Sequence, residues 1–325
     1  MSSAIDKLFS DLELHPVLMD VGATGEIPAL WTELAPHSTY VGVGPSSESG
    51  NYFRQTHSIE KIVTPDHAEI VFLHLMRNPI YSSLLEAHPQ AITDFLDPHL
   101  QPAGEIPLAS TTVDEIATDL ALPGIDWLHT NINGVDVPIF QSLSRHLKPT
   151  VLALDSCLDV VDLYQNQQSG VARYPELLHE GFWLSRTFVD GPIKMRQASL
   201  AKLQSLDPSL NRQFIIDHHR RTPGWIFVRF LRTLEFLARR DSPRRDYALL
   251  WTFALLDNQF GFCTDLLLDY EHRFGSDKPL RTMQAETVAR LRKLRPLTTL
   301  RRSGRSLPAL VRRGLRWVVD PGSRR

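Results

Sequence analysis

The sequence predicts an α/β fold: a doubly wound, Rossmann-like parallel sheet with helices on both faces and a helical annex behind it. Three observations predict it. From Val17 to about Phe188, short apolar runs alternate with segments of helical periodicity. The first run, Val17-Leu18-Met19-Asp20-Val21, ends in an acid and passes into Gly22-Ala23-Thr24-Gly25, as a buried strand turning into a ligand loop does. After about residue 195 the strand signal fades into helical patterns.

The strands are expected at Val17 to Val21, Tyr40 to Val43, Ile59 to Val63, Glu69 to Leu75, Trp127 to Ile132 and Val151 to Leu154, with Gly181 to Val189 as an alternating edge strand. Helices are expected at Ile27 to Ala35, at Thr112 to Leu120 with Thr111 or Thr112 as cap, and at Pro138 to His146, where Ile139, Phe140 and Leu143 recur at helical spacing. Gly224 to Arg240 and Asp246 to Phe274 also read as helical, broken at Ser242-Pro243. The domain reading is therefore 1–195 for the Rossmann-like unit, 196–289 for the annex and 290–325 for a basic tail. In such a sheet, ligands bind outside the carboxyl ends of the strands, where Asp20, Gly22, Gly44 and Asn131 are expected to converge.

Composition bounds the function. The chain has 325 residues, 42% of them hydrophobic, enough for a sizeable core. Its two cysteines, Cys157 and Cys263, are far apart, which fits neither a zinc site nor a disulfide framework and points to a reducing, cytoplasmic compartment. The N-terminal segment lacks the basic-then-apolar pattern of a secretory leader, and no apolar run approaches the roughly 20 residues of a membrane span. The net charge of -2 conceals an asymmetry: residues 290–325 carry twelve Lys or Arg and one acid, Asp320, so the rest of the chain is strongly acidic. An acidic body argues against nucleic acid. Pro296 to Ser306 read as a basic linker. Leu307, Leu310, Val311, Leu315 and Val318 then form the apolar face of a short basic helix, which suits an anionic membrane surface and a peripheral location.

A second landmark is Ile125-Asp126-Trp127-Leu128-His129-Thr130-Asn131-Ile132-Asn133-Gly134-Val135-Asp136, followed by Ile139 to Leu143. With it the chain resembles the FkbM-type S-adenosylmethionine-dependent methyltransferases. Their middle motif is an Asp, two apolar residues, then Lys-Ile-Asp-Val-Glu-Gly-x-Glu and a helix. Asp20 to Gly25 resembles the family's Asp-Val-Gly-Ala-Asn-x-Gly, Gly44-Pro45-Ser46 its Glu-Pro-x, and Ser82-Ser83-Leu84-Leu85 its serine-rich segment. The blocks follow in one order over about residues 16–190.

The resemblance implies a class I methyltransferase sheet, S-adenosylmethionine as cofactor, and O-methylation of a sugar, glycoconjugate or related metabolite. It also implies roles. The glycine turn, Gly22 and Gly25, admits the methionine part of the cofactor, and Asp20 helps bind its ammonium group. Gly44 stands where an acid usually holds the ribose hydroxyls, so Glu48 or a backbone carbonyl must substitute. Asp66, after the third strand, is the candidate partner of the adenine amine. The family's Lys, Asp and Glu fall on His129, Asn131 and Asn133, and one acid survives as Asp136. Transfer to a hydroxyl needs in-line approach and a base. The asparagines can position an acceptor but cannot take its proton; His129, Asp136 or Asp155 can. The same neutralised motif also fits a non-catalytic methyltransferase-fold interaction protein recruited through the basic tail. A nicotinamide-dependent oxidoreductase is the weaker third reading, since the turn is shorter than a dinucleotide fingerprint. His218-His219 lack a third spaced ligand, which argues against a metal.

Overall fold

The computed structural model describes residues 3–23, 27–44, 52–96, 100–167 and 169–294. Gly25, Glu48 and the expected basic linker and amphipathic helix of the tail lie outside them. Eleven α-helices and ten strands occur among the described residues. In chain order they are α1 (Ser3–Asp11), β1 (Val17–Val21), β2 (Thr39–Val43), β3 (Gln55–Ile59), β4 (Ile62–Val63), β5 (Ile70–Met76), α2 (Pro89–Asp94), β6 (Pro102–Thr111), α3 (Val113–Asp119), β7 (Trp127–Thr130) and α4 (Asp136–Ser142). Then follow β8 (Ala153–Asp159), α5 (Tyr174–His179), β9 (Phe182–Asp190), α6 (Gln197–Leu206), α7 (Arg212–His218), β10 (Trp225–Arg232), α8 (Leu234–Arg240), α9 (Arg244–Leu256), α10 (Phe260–Phe274) and α11 (Lys278–Lys293).

A seven-stranded sheet runs β3-β2-β1-β7-β8-β10-β9. Its first five strands are parallel, and β10 is antiparallel to both β8 and β9. The chain winds from β1 outward to β3, then returns to place β7 on the other side of β1. That reversal opens the crevice of a doubly wound sheet between the carboxyl ends of β1 and β7. A second, small sheet runs β4-β6-β5.

Each face of the large sheet has its own core because strand side chains alternate. Leu18, Tyr40, Trp127, Ala153 and Leu231 face α1, α9, α10 and α11, meeting Phe9, Trp251, Phe253 and Leu266. Met19, Val21, Val41, Leu128, Leu154 and Phe230 face the other way, toward Ile116 of α3, Ile139 and Phe140 of α4 and Leu177 of α5. α9 is buried along its whole length from Asp246 to Leu256 because it lies between the sheet and the outer helices. The expected annex is thus divided: α9, α10 and α11 join α1 in one of the two layers that sandwich the sheet, β10 enters the sheet itself, and α6 and α7 pack in a small separate cluster with Leu96 and Ile193.

Several expected elements are present with small shifts: β1, β2, β7, β8, and β9 at the sheet edge. Of the two expected caps, Thr112 is the one that caps α3, and it does so in a capping box with Glu115. Four expectations are corrected. The helix over Gly224 to Arg240 is strand β10 followed by α8; Trp225–Arg232 is an apolar and aromatic run of strand length, and such runs are ambiguous until neighbours bury both faces. The helix over Ile27 to Ala35 is a pair of 3-10 turns, Ala29–Glu33 and Ala35–His37, with Pro28 before the first and Pro36 inside the second. The strand Ile59 to Val63 divides into the end of β3 and the short β4, which belong to different sheets. The strand near Glu69 to Leu75 exists as β5, but in the small sheet, paired with the unexpected β6. Pro102 and Pro107 hid β6 from sequence reading. They are tolerated because β4 pairs only with Ser110 and Thr111, leaving the proline-bearing half of β6 as an edge.

One buried cation joins the annex layer to the sheet. Arg232 is fully buried, stacks between the rings of Phe182 and Phe236 at 3.8 and 3.9 Å, and donates to the carbonyls of Val151 and Lys148 at 2.7 Å and to that of Glu180. Burial lowers its pKa to about 9. Arg232→Met keeps much of the apolar stem but leaves three carbonyls without their donor, each costing about 1–3 kcal/mol. We expect urea unfolding of this variant to show a loss of at least about 3 kcal/mol.

Candidate functional site

The carboxyl ends of the central strands carry a row of polar residues at one level of the sheet. The register sets Asp20 of β1 opposite His129 of β7, His129 opposite Asp155 of β8, Asp155 opposite Arg229 of β10, and Arg229 opposite Arg186 of β9. All stand on the face that packs against the helical layer, two residues along from Leu18, Trp127, Ala153 and Leu231. The charges alternate along the row: acid, histidine, acid, arginine.

The contacts follow the register. Arg229 grips Asp155 with two parallel bonds, Nε to Oδ1 at 2.6 Å and Nη2 to Oδ2 at 2.8 Å, and its Nη1 donates to Asp257 at 2.8 Å. Its guanidinium lies 4.9 Å from the centre of the Trp127 ring. His129 Nδ1 is 3.7 Å from Asp155 Oδ2, and its Nε2 is 4.0 Å from Asp20 Oδ1. Tyr40 closes the row by donating its hydroxyl to Asp20 Oδ2 at 3.0 Å. Gly42 is needed beside it, since a Cβ there would stand 2.7 Å from the Tyr40 ring.

Burial opposes the charges of Asp20, His129, Asp155 and Arg229, so the partners decide each state. Burial raises the Asp20 carboxyl, against the opposing pull of His129 and Tyr40. Burial also works against Asp155, but Arg229 and His129 outweigh it and hold its carboxyl down at about 2. For His129, burial is outweighed by Asp155 and Asp20, and its pKa is raised.

Next to the row lies a second group of acids. Asp136 begins α4 and accepts the Ile132 N–H through Oδ1 at 3.1 Å, while its buried Oδ2 has no hydrogen-bond partner among the described residues. Burial pushes Asp136 up to about 6. Asp159 ends β8, and burial together with the nearby Asp136 charge pushes it up to about 7. Sequence reading missed Asp159, Arg229 and Asp257. Asp159 follows the expected strand end, and Arg229 lay in a segment read as helix, so neither had a position relative to the crevice until the sheet was assembled.

The glycine turn is built as expected up to the last described residue, Ala23. Gly22 has φ +87°, and a Cβ there would collide with the carbonyl of Asn131, whose own N–H bonds Val21 at 2.9 Å. Asn131 is exposed at the crevice, whereas the Asn133 amide is committed to the Ser82 carbonyl at 2.9 Å. Ser83 bonds the Asn133 carbonyl at 2.6 Å, so the serine-rich segment is fastened to the loop before α4. Gly44 is packed against the turn: the N–H groups of Gly22 and Ala23 both reach the Val43 carbonyl, and a Cβ at residue 44 would stand 2.6 Å from the Ala23 carbonyl oxygen. Asp66 is not drawn into this group. It follows β4, not the third strand of the large sheet; it is exposed, and its carbonyl takes the Thr64 hydroxyl at 2.7 Å.

None of the candidate residues lines the cavity beside β5, which is bounded by His74, Met76, Glu86 and Glu105. No group of three His, Cys, Asp or Glu suited to a metal occurs among the described residues, and no helix among them is long and apolar enough to cross a membrane. Comparison with protein-family models, curated proteins and solved structures finds no match.

Two outcomes are expected. Asp136 and Asp159 are raised acids, so the stability they lend is complete below the usual carboxylate range and is lost as pH rises through about 6 and about 7. Asp159→Asn should therefore gain stability relative to the wild type as pH rises from about 5 to about 8, by on the order of 1 kcal/mol or more in urea unfolding. Gly44→Asp, which restores the acid at the ribose position, should lower the melting temperature by several degrees because Ala23 fills the space.

Proposed function

We propose that the protein is a diverged class I methyltransferase that uses S-adenosylmethionine to methylate a hydroxyl of a sugar, glycoconjugate or related metabolite. The acceptor class rests on the family resemblance. Sheet order supports the fold type: five parallel strands reversed between β1 and β7, with an antiparallel strand inserted next to the far edge, is the arrangement expected of a class I methyltransferase. The observation that carries the chemistry is Asp136, a buried carboxyl with one unpartnered oxygen and a pKa pushed up to about 6, next to Asp159 at about 7. Carboxyls poised near neutrality, one at the start of α4 and one at the end of β8, suit removal of a hydroxyl proton.

The cofactor fits this chain at one end only. There the exposed Asn131 side chain offers an amide to the methionine part, beside a half-buried glycine turn whose own Cα is packed against the Asn131 carbonyl. At the ribose end no acid stands at residue 44, and the Ala23 carbonyl occupies the space a side chain would need. When bound, the cofactor would supply an electrophilic methyl group. The chain's own contribution is a base, Asp136 with Asp159, and a bonded frame around it from Asn133, Ser82 and Ser83.

The packing at Gly44 specifically favours a second reading, in which the fold persists as a non-catalytic interaction protein. Calorimetry with S-adenosylmethionine and with its demethylated product separates the two. Methyl transfer predicts binding heat, and Asp136→Asn should cut turnover about 100-fold or more while leaving cofactor binding unchanged. Absence of heat at millimolar ligand would sink the first reading and leave the second.

A further inference from the structure

His129 faces a carboxylate from each of its ring nitrogens: Nε2 is 4.0 Å from Asp20 Oδ1 and Nδ1 is 3.7 Å from Asp155 Oδ2. A neutral imidazole has one N–H and one lone pair, so either tautomer would turn a lone pair toward an acid. Only the imidazolium presents a proton to both. Neither separation is a direct hydrogen bond; they are ion-pair distances.

The two acids are themselves fixed. Both Asp155 oxygens are held by Arg229 from β10, and Arg229 is anchored in turn by Asp257 and by the Trp127 ring. On the other side, Asp20 receives the Tyr40 hydroxyl from β2, a donor whose own ionisation is pushed up by burial and by Asp20. Asp136, at the start of α4, adds a further negative influence on the ring, and the Trp31 ring meets the imidazole edge-on at 6.2 Å. The like charges of the row are Arg229 and, beyond it on β9, Arg186, and Asp155 stands between Arg229 and His129.

We infer that His129 is held as an imidazolium ion between Asp20 and Asp155, with Asp155 and Arg229 as its positioning residues, so that it is the fixed cation of the crevice and not its base. The inference rests on the methyltransferase reading only where it leaves the proton-accepting role to Asp136 and Asp159. Otherwise it is a statement about charge that holds with or without transfer.

The test is an NMR titration of the histidine Cε1–Hε1 signals of the full chain, with His129 assigned by the signal lost in His129→Gln. The chain has 13 histidines. In the wild type His129 should titrate above the ordinary value of about 6.5. Asp155→Asn and Asp20→Asn should each lower its proton affinity about tenfold or more, while the conservative Asp155→Glu should retain most of the elevation. A wild-type titration at or below about 6.5 overturns the inference whether or not the variants fold. Folded Asn variants that leave the titration in place overturn it too. A raised titration in a protein that never transfers a methyl group removes the proposed reaction and keeps the charge assignment.

Discussion

The central strands are tied together by one electrostatic constraint: a row of alternating charges that crosses β1, β7, β8 and β10 at a single level. Each member is buried deeply enough that it would be costly alone. Asp155 is tolerable because Arg229 grips both of its oxygens, Arg229 because Asp257 and the Trp127 ring receive it, and Asp20 because Tyr40 and His129 face it. Strand register is thereby over-determined. A slip of one residue would turn every side chain of a strand to the opposite face, moving a charge of the row into the layer occupied by Leu128, Leu154 and Phe230.

Around the row, the layering follows from apolar alternation. The face that holds the charges is covered by α1 and the helices α9, α10 and α11, so the polar row is roofed by one of the largest apolar clusters of the molecule. Water is kept from its inner side, which is why burial weighs against the charge of Asp20. Toward the strand ends the roof gives way to the crevice, where the backbone of Gly22 and the side chain of Asn131 are accessible. Structural charge and candidate chemistry are thus adjacent: the row fixes the geometry, and the acids at its margin have the ionisation that proton transfer needs.

Much of the frame was legible in the sequence, for local reasons. The β1 run and the start of α3 announce themselves through short-range patterns, an apolar run ending at a glycine turn and a threonine cap. β10 and β6 were not legible. The apolar periodicity of Trp225–Arg232 fits either element type, and only insertion between β8 and β9 decides it; the prolines of β6 argue against a strand unless one side of that strand is free. The site divides in the same way. Asp20 stood out because it lies near the end of a strand that runs into a glycine turn, and His129 and Asp136 through the resemblance of the middle motif, whereas Asp66 stood out by position alone and lies elsewhere. Arg229 and Asp257, which come from beyond the expected Rossmann-like segment, could not be connected to Asp155 by any spacing rule.

The sequence by itself determined that this is an α/β chain with a glycine turn after its first strand, because strand and helix periodicities and glycine's freedom at positive φ are local properties. The tertiary structure decided what the residues of that turn and its neighbours are for. Gly44 reads in the sequence as a missing acid, and in the fold as the place where the Ala23 carbonyl needs room. His129 reads in the sequence as a near-neutral base, and in the fold as a ring between two carboxylates. The physical reason is common to both: steric room and ionisation are set by atoms remote along the chain, brought within a few ångströms only when the strands pair.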